Sequence, residues 1–442
     1  MRQAKKQFVI ATAAASAVLL ALTACAPGQQ SQGIQNTGPI EIDTSTFAGK
    51  TIDYVYFSDS AAEEEATRAL ISQFQDEFDA TINLQIVPFA NLQQSLQARL
   101  SGNEVPDVAR LSSIQVGDFV DQLLDIVPYF GSDYSSEFVE GAAATVAGPN
   151  GEMWGVPSDL TMNGPIVNVD MFEAAGVALP TADDPWTWDE MVAASEEVQA
   201  ATGSEFAMAI DKSGHRVSGV VSAFGTTMIG ADGQNAMDPE AMTAAITALT
   251  DLMADDRMSR DFWLGSGSAY AGANDIFLAQ ATPLYISGNW QVSQFADNAS
   301  FEWATIPNAC SVECGGFPGL KNMVAFNRSD EPEMSAYFIN WMNQTEQQEQ
   351  IANTANWLPT RVDLTEAGID YDLRPADMNV FLGDVTVTPT VTFASTSSPA
   401  FNGAGMALVD VISEVVGGQM TVAEAVASLN IQIDEIVEQT SR

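Results

Sequence analysis

Hydrophobic and polar residues alternate in the first part of the chain, and this alternation predicts short β-strands. The residues from Ile52 to Phe57 and from Ile82 to Ile86 both follow the pattern, which is typical of strands with one buried face. A third short apolar run, from Val108 to Leu111, predicts another strand.

Helical periodicity fills the two intervals between these strands. Leu70, Phe74 and Phe78 fall on one face of a predicted helix, and Ser58, Asp59 and Ser60 are the candidate caps for its first turn. A second helix is expected after Asn91, which can cap it. The β-α-β-α-β order implies a parallel sheet with helices on its faces. Ligands of such sheets bind outside the carboxyl ends of the strands, which here carry Ser58-Asp59, Pro88-Phe89 and Ser112-Ser113.

Longer helical patterns dominate the rest of the chain. Thr187 and Glu190 have the spacing of a capping box, which predicts the start of a helix. Residues 151–157 are punctuated by Gly and Pro and predict a hairpin or a crossing of the chain. No internal repeat of fixed period is present. Further helices and short strands are predicted at 240–254, 282–286, 323–327, 333–342 and in the last thirty residues.

The N-terminus has the order of a secretory signal. Three basic residues precede an uncharged apolar run from Phe8 to Leu22, and Cys25 follows directly after Leu22-Thr23-Ala24. This ending resembles the lipobox of bacterial lipoproteins, in which the signal is removed and the Cys is acylated. We therefore expect a signal peptide at 1–24, lipidation of Cys25, and a flexible tether at 25–46, which is rich in Gln, Gly, Ser and Pro.

The charge of the chain narrows the range of partners. The formal net charge is −42, from 58 acidic and 16 basic residues. Such a chain repels nucleic acid, whose binding depends on Lys and Arg, and anionic membrane surfaces. Solubility or adaptation to a salty medium accounts for the excess, with cation capture as the alternative. Because carboxylates are so abundant, two acidic residues that lie close together in the sequence are weak evidence for a catalytic pair.

Cysteine and histidine usage argues against a metal or cofactor site. Once Cys25 is lipidated, Cys310 and Cys314 form an even pair, and we expect a disulfide that closes a very short loop. The one histidine, His215, lies in a polar stretch that predicts an exposed loop, so neither a zinc site nor a His-dependent nucleophile is expected. Gly49-Lys50-Thr51 imitates part of a phosphate-binding loop but precedes a strand, so ATP binding is not expected.

A series of short motifs covers most of the chain after the signal. The motifs are Gly102 to Val108, Gly155 to Pro157, Asn168, Asp170 to Phe172, Ala175-Gly176, Trp188 to Glu190, Gly288 to Trp290, Gly315-Gly316, Trp357 to Arg361 and Gly418 to Ala427. With these motifs in this order, the chain resembles the extracellular solute-binding proteins of bacterial ABC importers, in the carbohydrate-binding group related to maltose-binding protein. Val167 stands where that group usually has an aromatic residue, and residues 363–401 match loosely, so the identity of the ligand stays open.

The resemblance implies an α/β, two-lobe periplasmic-binding-protein-like fold with hinge crossovers and a central ligand cleft. It implies a first lobe mainly at 47–159 and about 275–320, and a second mainly at 160–275 and about 321–442. An alternative pairs 47–159 with 320–385. The chain is expected to cross between the lobes near 159–162, 319–324 and 382–389.

The resemblance also implies a function. A lipid-anchored monomer on the extracytoplasmic face of the cell membrane would capture a mono- or oligosaccharide and deliver it to a membrane permease of the ABC type. No cofactor, catalytic residue or metal is expected.

A saccharide is bound by an aromatic side chain that stacks on its C–H face and by polar groups that form hydrogen bonds with its hydroxyls. Trp290 is the first candidate for the stacking residue and Trp357 is the second, and the alternative for each is a tryptophan buried in the core. Asp59 and Asp159 are the polar candidates, with a helix cap and a hinge hydrogen bond as their alternatives. Gly316 would offer close backbone contact if its loop faces the cleft. The predicted ligand-binding residues are Asp59, Phe89, Asp159, Asn289, Trp290, Gly316 and Trp357.

Three other functions stay open at this point. A secreted glycoside hydrolase would also use tryptophans and two carboxylates. A surface lipoprotein could bind peptides or oligomers in adhesion. A solute-binding protein could also take a ligand that is not a sugar.

Overall fold

The computed structural model describes residues 39–58, 60–102 and 104–440. Its strands are β1 Thr51–Tyr56, β2 Thr81–Ile86, β3 Val108–Ser112, β4 Val156–Asn168, β5 Met208–Ile210, β6 Leu284–Gly288, β7 Trp303–Thr305 and β8 Pro318–Ala325.

Helices separate most of these strands, and short 3-10 helices lie at Thr44–Phe47, Gly117–Gln122 and Tyr134–Glu137. The helices are α1 Ala61–Phe78, α2 Phe89–Gly102, α3 Ser113–Val116, α4 Val127–Phe130, α5 Glu140–Ala144, α6 Val169–Ala175, α7 Trp188–Thr202, α8 Gly214–Ala223, α9 Pro239–Ala254, α10 Arg260–Leu264, α11 Ala273–Leu278, α12 Gln291–Asn298, α13 Pro332–Trp341, α14 Thr345–Ala355, α15 Val362–Ala367, α16 Pro375–Val387, α17 Thr390–Ser397, α18 Phe401–Val416 and α19 Val422–Thr440.

The local signals of the first region are confirmed. Ser60 caps α1, since its side chain accepts a hydrogen bond from the backbone N–H of Glu63 at 3.1 Å. β1 pairs in parallel with both β2 and β3, as the β-α-β-α-β order predicts. The capping box of Thr187 and Glu190 opens α7. Helix α2 begins at Phe89 rather than after Asn91.

β4 joins two halves of one sheet, whose strand order is β2-β1-β3-β8-β4-β6-β5, with β7 also paired to β4. The first part of β4, Val156 to Met162, is antiparallel to β8, which in turn pairs with β3. The second part, Asn163 to Asn168, pairs with β6 and β7. The chain therefore passes from one lobe to the other along β4, and it returns along β8.

Strand pairing places individual segments in the two halves of the sheet. Within the segment 275–320, β6 and β7 pair with the second part of β4, and β6 also pairs with β5. β8 pairs with β3 and with the first part of β4, so residues 318–325 lie in the half of the sheet that contains β1, β2 and β3. Leu358 forms an isolated β-bridge with Leu160 of β4, so the chain passes the junction again near residue 358. Residues 382–389, where a further crossing was expected, include the end of helix α16.

Apolar burial holds each half together. One cluster packs α7, α8, α9, α18 and α19 around the end of the sheet that contains β5. A small cluster packs Leu92 and Leu96 of α2 against Val55, Leu111 and Phe326. The largest cluster extends from β1 and α1 through the junction to α12 and α16. Trp188 and Trp341 lie in these cores, as their positions in helical patterns indicate.

Part of the segment that was predicted to be a flexible tether is folded in the structure. Residues 39–46, assigned to the flexible tether, are folded: Ile40 donates a backbone hydrogen bond to Pro128 at 2.8 Å, and Asp43 caps the helix that follows. Cys310 and Cys314 form a disulfide.

The predicted signal peptide, Cys25 and Asp59 lie outside the described residues. No helix in the described part of the chain is long and apolar enough to cross a membrane.

Candidate ligand-binding site

A cavity of about 1010 Å³ lies where the two halves of the sheet meet. We call it the cleft. Phe57, Phe89 and Ser112 reach it from the carboxyl ends of β1, β2 and β3, where the parallel order predicts a ligand. The junction strands contribute Thr161, Gly319 and Lys321, and the second half contributes residues 212–216, Trp290, and parts of α12 and α18.

Two aromatic side chains expose surface to the cleft. Phe89 is 46% exposed and packs against buried Phe57, with 5.0 Å between ring centroids. Trp290 is partly exposed and is the N-cap residue that precedes α12. Both residues were predicted to bind ligand, and the structure brings both to the cleft, on opposite halves.

The indole of Trp290 is held between two neighbours. The guanidinium of Arg216 lies over the ring, 4.1 Å from its centroid. A Cβ atom on Gly288 would lie 2.1 Å from the indole, so only glycine leaves room for the ring at that position. The glycine at position 288 therefore makes room for the side chain of Trp290.

His215 corrects a prediction, because it lies in helix α8 at the cleft rather than in an exposed loop. Its Nε2 donates to the carbonyl oxygen of Pro318 at 3.1 Å, and its Nδ1 accepts from Arg216 at 3.0 Å. Burial and the positive charge of Arg216 lower the pKa of His215 to about 3. The imidazole is therefore neutral at physiological pH, with its proton on Nε2.

Three basic side chains line the cleft and were missed in the sequence. Arg216 forms an ion pair with Asp211 at 3.3 Å. Lys321 forms one with Asp159 at 3.3 Å. Lys212 is exposed and donates to the carbonyl oxygen of Trp263. Lys212 and Arg216 are close in sequence, in a stretch that was read as an exposed loop, whereas Lys321 is distant and no local pattern connects it to them.

Asp159 does not reach the surface of the cleft. It is fully buried and accepts a hydrogen bond from Arg110 at 2.8 Å, while Arg110 also pairs with Glu63. This position matches the alternative role of a bond within the hinge. Lys321 lines the cleft and pairs with Asp159, so Asp159 lies one side chain behind the lining of the cleft.

Trp357 is also set back from the cleft. It is 6% exposed, and its ring lies beneath Arg110, with 4.7 Å from the guanidinium carbon to the ring centroid. Tyr56 and Phe57 enclose the same guanidinium at 4.9 and 4.6 Å. The structure thus places Trp357 in the wall around a buried cation, which is the core alternative for this residue.

Asn289 and Gly316 support the junction from behind. Asn289 is buried, accepts from the backbone N–H of Met162 at 2.9 Å and donates to the carbonyl of Asn356 at 3.2 Å. Gly316 packs so closely that a Cβ atom there would lie 2.4 Å from the carbonyl oxygen of Asn163. Both residues fix the backbone beside the cleft, and neither is among the residues that line it.

Metal ligands are not grouped in this region. Among the described residues, no three His, Cys, Asp or Glu side chains are placed to hold a metal ion. The chemistry that the cleft offers is apolar contact through its aromatic rings and hydrogen bonding through hydroxyl, amide and charged side chains.

Comparison with known protein families decides the class of protein. Residues 69–372 match the model for bacterial extracellular solute-binding proteins. The chain belongs to this family. A binding protein of Brucella abortus (strain 2308) is 23% identical over 331 residues, which cover 70% of this chain and 76% of that protein.

Solved structures share the fold. An ABC substrate-binding protein from Listeria monocytogenes, in complex with cycloalternan, is 20% identical and has a TM-score of 0.73, covering 87% of this chain and 98% of that chain. The cyclic alpha-maltosyl-1,6-maltose binding protein from Arthrobacter globiformis is 18% identical and has a TM-score of 0.74, covering 91% and 100%. The fold is thus the two-lobe fold of these solute-binding proteins.

Proposed function

We propose that this solute-binding protein captures a mono- or oligosaccharide in the cleft and delivers it to a membrane permease of an ABC importer. The observation that carries the proposal is the cleft between the two lobes, with aromatic surface on both sides. Structural neighbours that bind cycloalternan and cyclic alpha-maltosyl-1,6-maltose support the choice of a carbohydrate.

The size and lining of the cleft suit a saccharide. Its volume of about 1010 Å³ is at the upper end of the range for small-molecule sites, roughly 300–1,000 Å³. Phe89 and Trp290 can cover C–H faces, while Ser60, Ser112 and Asn402 can exchange hydrogen bonds with hydroxyls. A ligand that touches both sides is bound fully only when the lobes are together, so binding favours the closed form.

We place the protein on the extracytoplasmic face of the membrane, anchored as a monomer through a lipid on Cys25. The family is described as extracellular, and the residues around Cys25 supply the lipobox. Replacing Cys25 with Ala is expected to move the protein from the membrane fraction to the soluble fraction of the producing cell. An unchanged distribution would contradict the anchor and leave the binding proposal intact.

A thermal-shift screen against mono- and oligosaccharides tests the binding function. A cleft ligand at 100 times its dissociation constant adds about 2.7 kcal/mol to the free energy of unfolding, so at least one saccharide should raise the melting temperature clearly. A response to amino acids or metal ions alone would point to another solute class. New reducing ends after incubation with oligosaccharides would instead reveal a hydrolase.

A further inference from the structure

We propose that the saccharide is acidic and that its carboxylate, as in a uronic acid, binds beside Lys212 and Arg216. This inference rests on the proposed function and names the class of sugar. It starts from the distribution of charge around the cleft.

Basic residues are concentrated where the rest of the chain is acidic. Acidic residues outnumber Lys and Arg by 58 to 16 in the whole sequence. Among the described residues that line the cleft, the ratio reverses, with Lys212, Arg216 and Lys321 against Asp297 and Asp410. A neutral sugar needs no such reversal, whereas an anion must overcome the repulsion of a chain with a net charge of −42.

The positive and negative groups lie on different elements. Lys212 and Arg216 follow β5, and Lys321 is on β8, at the junction. Asp297 is at the end of α12, and Asp410 is on α18. The cleft therefore offers cations on one set of elements for an anionic group, and carboxylates on another for sugar hydroxyls.

Of the three basic side chains that line the cleft, two form ion pairs with described carboxylates of the protein and the third does not. Asp211 pairs with Arg216, and Asp159 pairs with Lys321. Lys212 donates to a backbone carbonyl, and no described carboxylate forms an ion pair with it. A ligand carboxylate at Lys212 would supply the missing negative charge.

Arg216 is oriented to receive the same group. Asp211, the ring of Trp290 and Nδ1 of His215 hold its guanidinium from three sides. Since neutral His215 donates its only N–H to Pro318, it adds no charge of its own and fixes Arg216 at the surface of the cleft. A sugar that approaches the face of Trp290 meets this guanidinium, whose planar fork suits a carboxylate.

Calorimetric titration with matched pairs tests the proposal: D-glucuronate with D-glucose, D-galacturonate with D-galactose, and the corresponding disaccharides. We expect the acidic member of at least one pair to bind at least ten-fold more tightly than its neutral partner. Its affinity should fall several-fold when NaCl is raised from 50 to 500 mM, because the contact is electrostatic and partly exposed.

Variants identify the groups responsible. Lys212→Gln should weaken binding of the acidic sugar at least five-fold more than it weakens binding of the neutral partner, and Arg216→Gln should weaken binding of the acidic sugar further. Arg68→Gln, an exposed change on α1 that does not line the cleft, is the matched control and should have no effect. These outcomes would support a carboxylate at Lys212 and Arg216.

Two outcomes would overturn the proposal, and they are distinguishable. If neutral sugars bind as tightly as acidic ones and Lys212→Gln has no effect, the inference of an acidic ligand fails while the proposed function stands. If no saccharide of either kind binds, the proposed function itself fails.

Discussion

At the scale of single residues, the neighbours of Trp290 determine the position and orientation of its indole ring. Gly288 makes room for the indole, and Arg216 covers its face. The ring is therefore presented in one fixed orientation, at little cost in side-chain entropy when a ligand binds.

Replacing Trp290 with Ala should weaken binding of the best saccharide at least ten-fold. Loss of a large apolar contact costs about 1.5–3 kcal/mol, and about 1.4 kcal/mol corresponds to a factor of ten. Trp186→Ala is the control, because Trp186 is also partly exposed and packs on Phe172 away from the cleft. Calorimetry that finds equal affinities for both variants would contradict a role for Trp290.

Asp384 gives the protein a predictable dependence on pH. It is buried, accepts a hydrogen bond from Asn308 at 2.7 Å, and burial raises its pKa to about 7. Between about pH 4 and pH 7 the folded state keeps a proton that the unfolded state has lost, so this group's contribution to stability falls as pH rises.

Asp384→Asn should therefore be more stable than the natural protein at pH 8, by about 2–4 kcal/mol at ~1.4 kcal/mol per pKa unit, with the difference vanishing near pH 4. Urea denaturation at several pH values measures it, and the exposed change Asp121→Asn is the control. A difference that is the same at pH 4 and pH 8 would refute the raised pKa.

Some residues of the site could be predicted from the sequence, and others could not. Phe89 and Trp290 lie shortly after the predicted strands at 82–86 and 282–286, and this local position brings them to the cleft. Lys321 meets Lys212 and Arg216 there only through the pairing of β4 with β6 and β8. The burial of Asp159 also depends on a distant residue, Arg110, which the spacing of residues does not reveal.

At the scale of elements, the close approach of the Gly316 segment to β4 holds the junction together. A Cβ atom at Gly316 would collide with the backbone oxygen of Asn163, which cannot move without disturbing β4. Gly383, in helix α16, has no atom within 4 Å of the same test position. The two glycines therefore make a matched pair.

Gly316→Ala should lower the free energy of unfolding by about 1–3 kcal/mol, the usual cost of overpacking. Gly383→Ala should raise it by about 0.5–1 kcal/mol, since Ala is the better helix former. Chemical denaturation of both variants checks the pair. Equal stability of the two would mean that the junction is looser than the structure indicates.

The elements themselves were largely predictable, because their signals are local. Ser60, Thr187 and Glu190 mark helix starts by capping, and alternation marks β1 and β2. The division of the strands between the two halves of the sheet could not be predicted in this way, since antiparallel pairing with β4 decides it and such pairing is not visible in periodicity. Strand β8 also begins at Pro318, five residues before the predicted start at Met323, because its first residues form the junction.

At the scale of the whole molecule, charge and hinge act together. A net charge of −42 keeps the protein soluble and repels acidic surfaces. Basic side chains line the cleft although the protein as a whole is strongly negative, and the two sides of the cleft are connected by β4 and β8. A ligand that bridges the sides would shift the molecule toward its closed form by as much as its extra affinity for that form.

Small-angle X-ray scattering on the protein without its signal, with Cys25→Ala, tests this account most directly. The saccharide that gives the largest thermal shift should reduce the radius of gyration of the natural protein in a saturable manner. Trp290→Ala at the same saccharide concentration should show a much smaller reduction. A radius of gyration that stays constant while calorimetry shows the saccharide to be bound would contradict a hinged cleft that closes on its ligand.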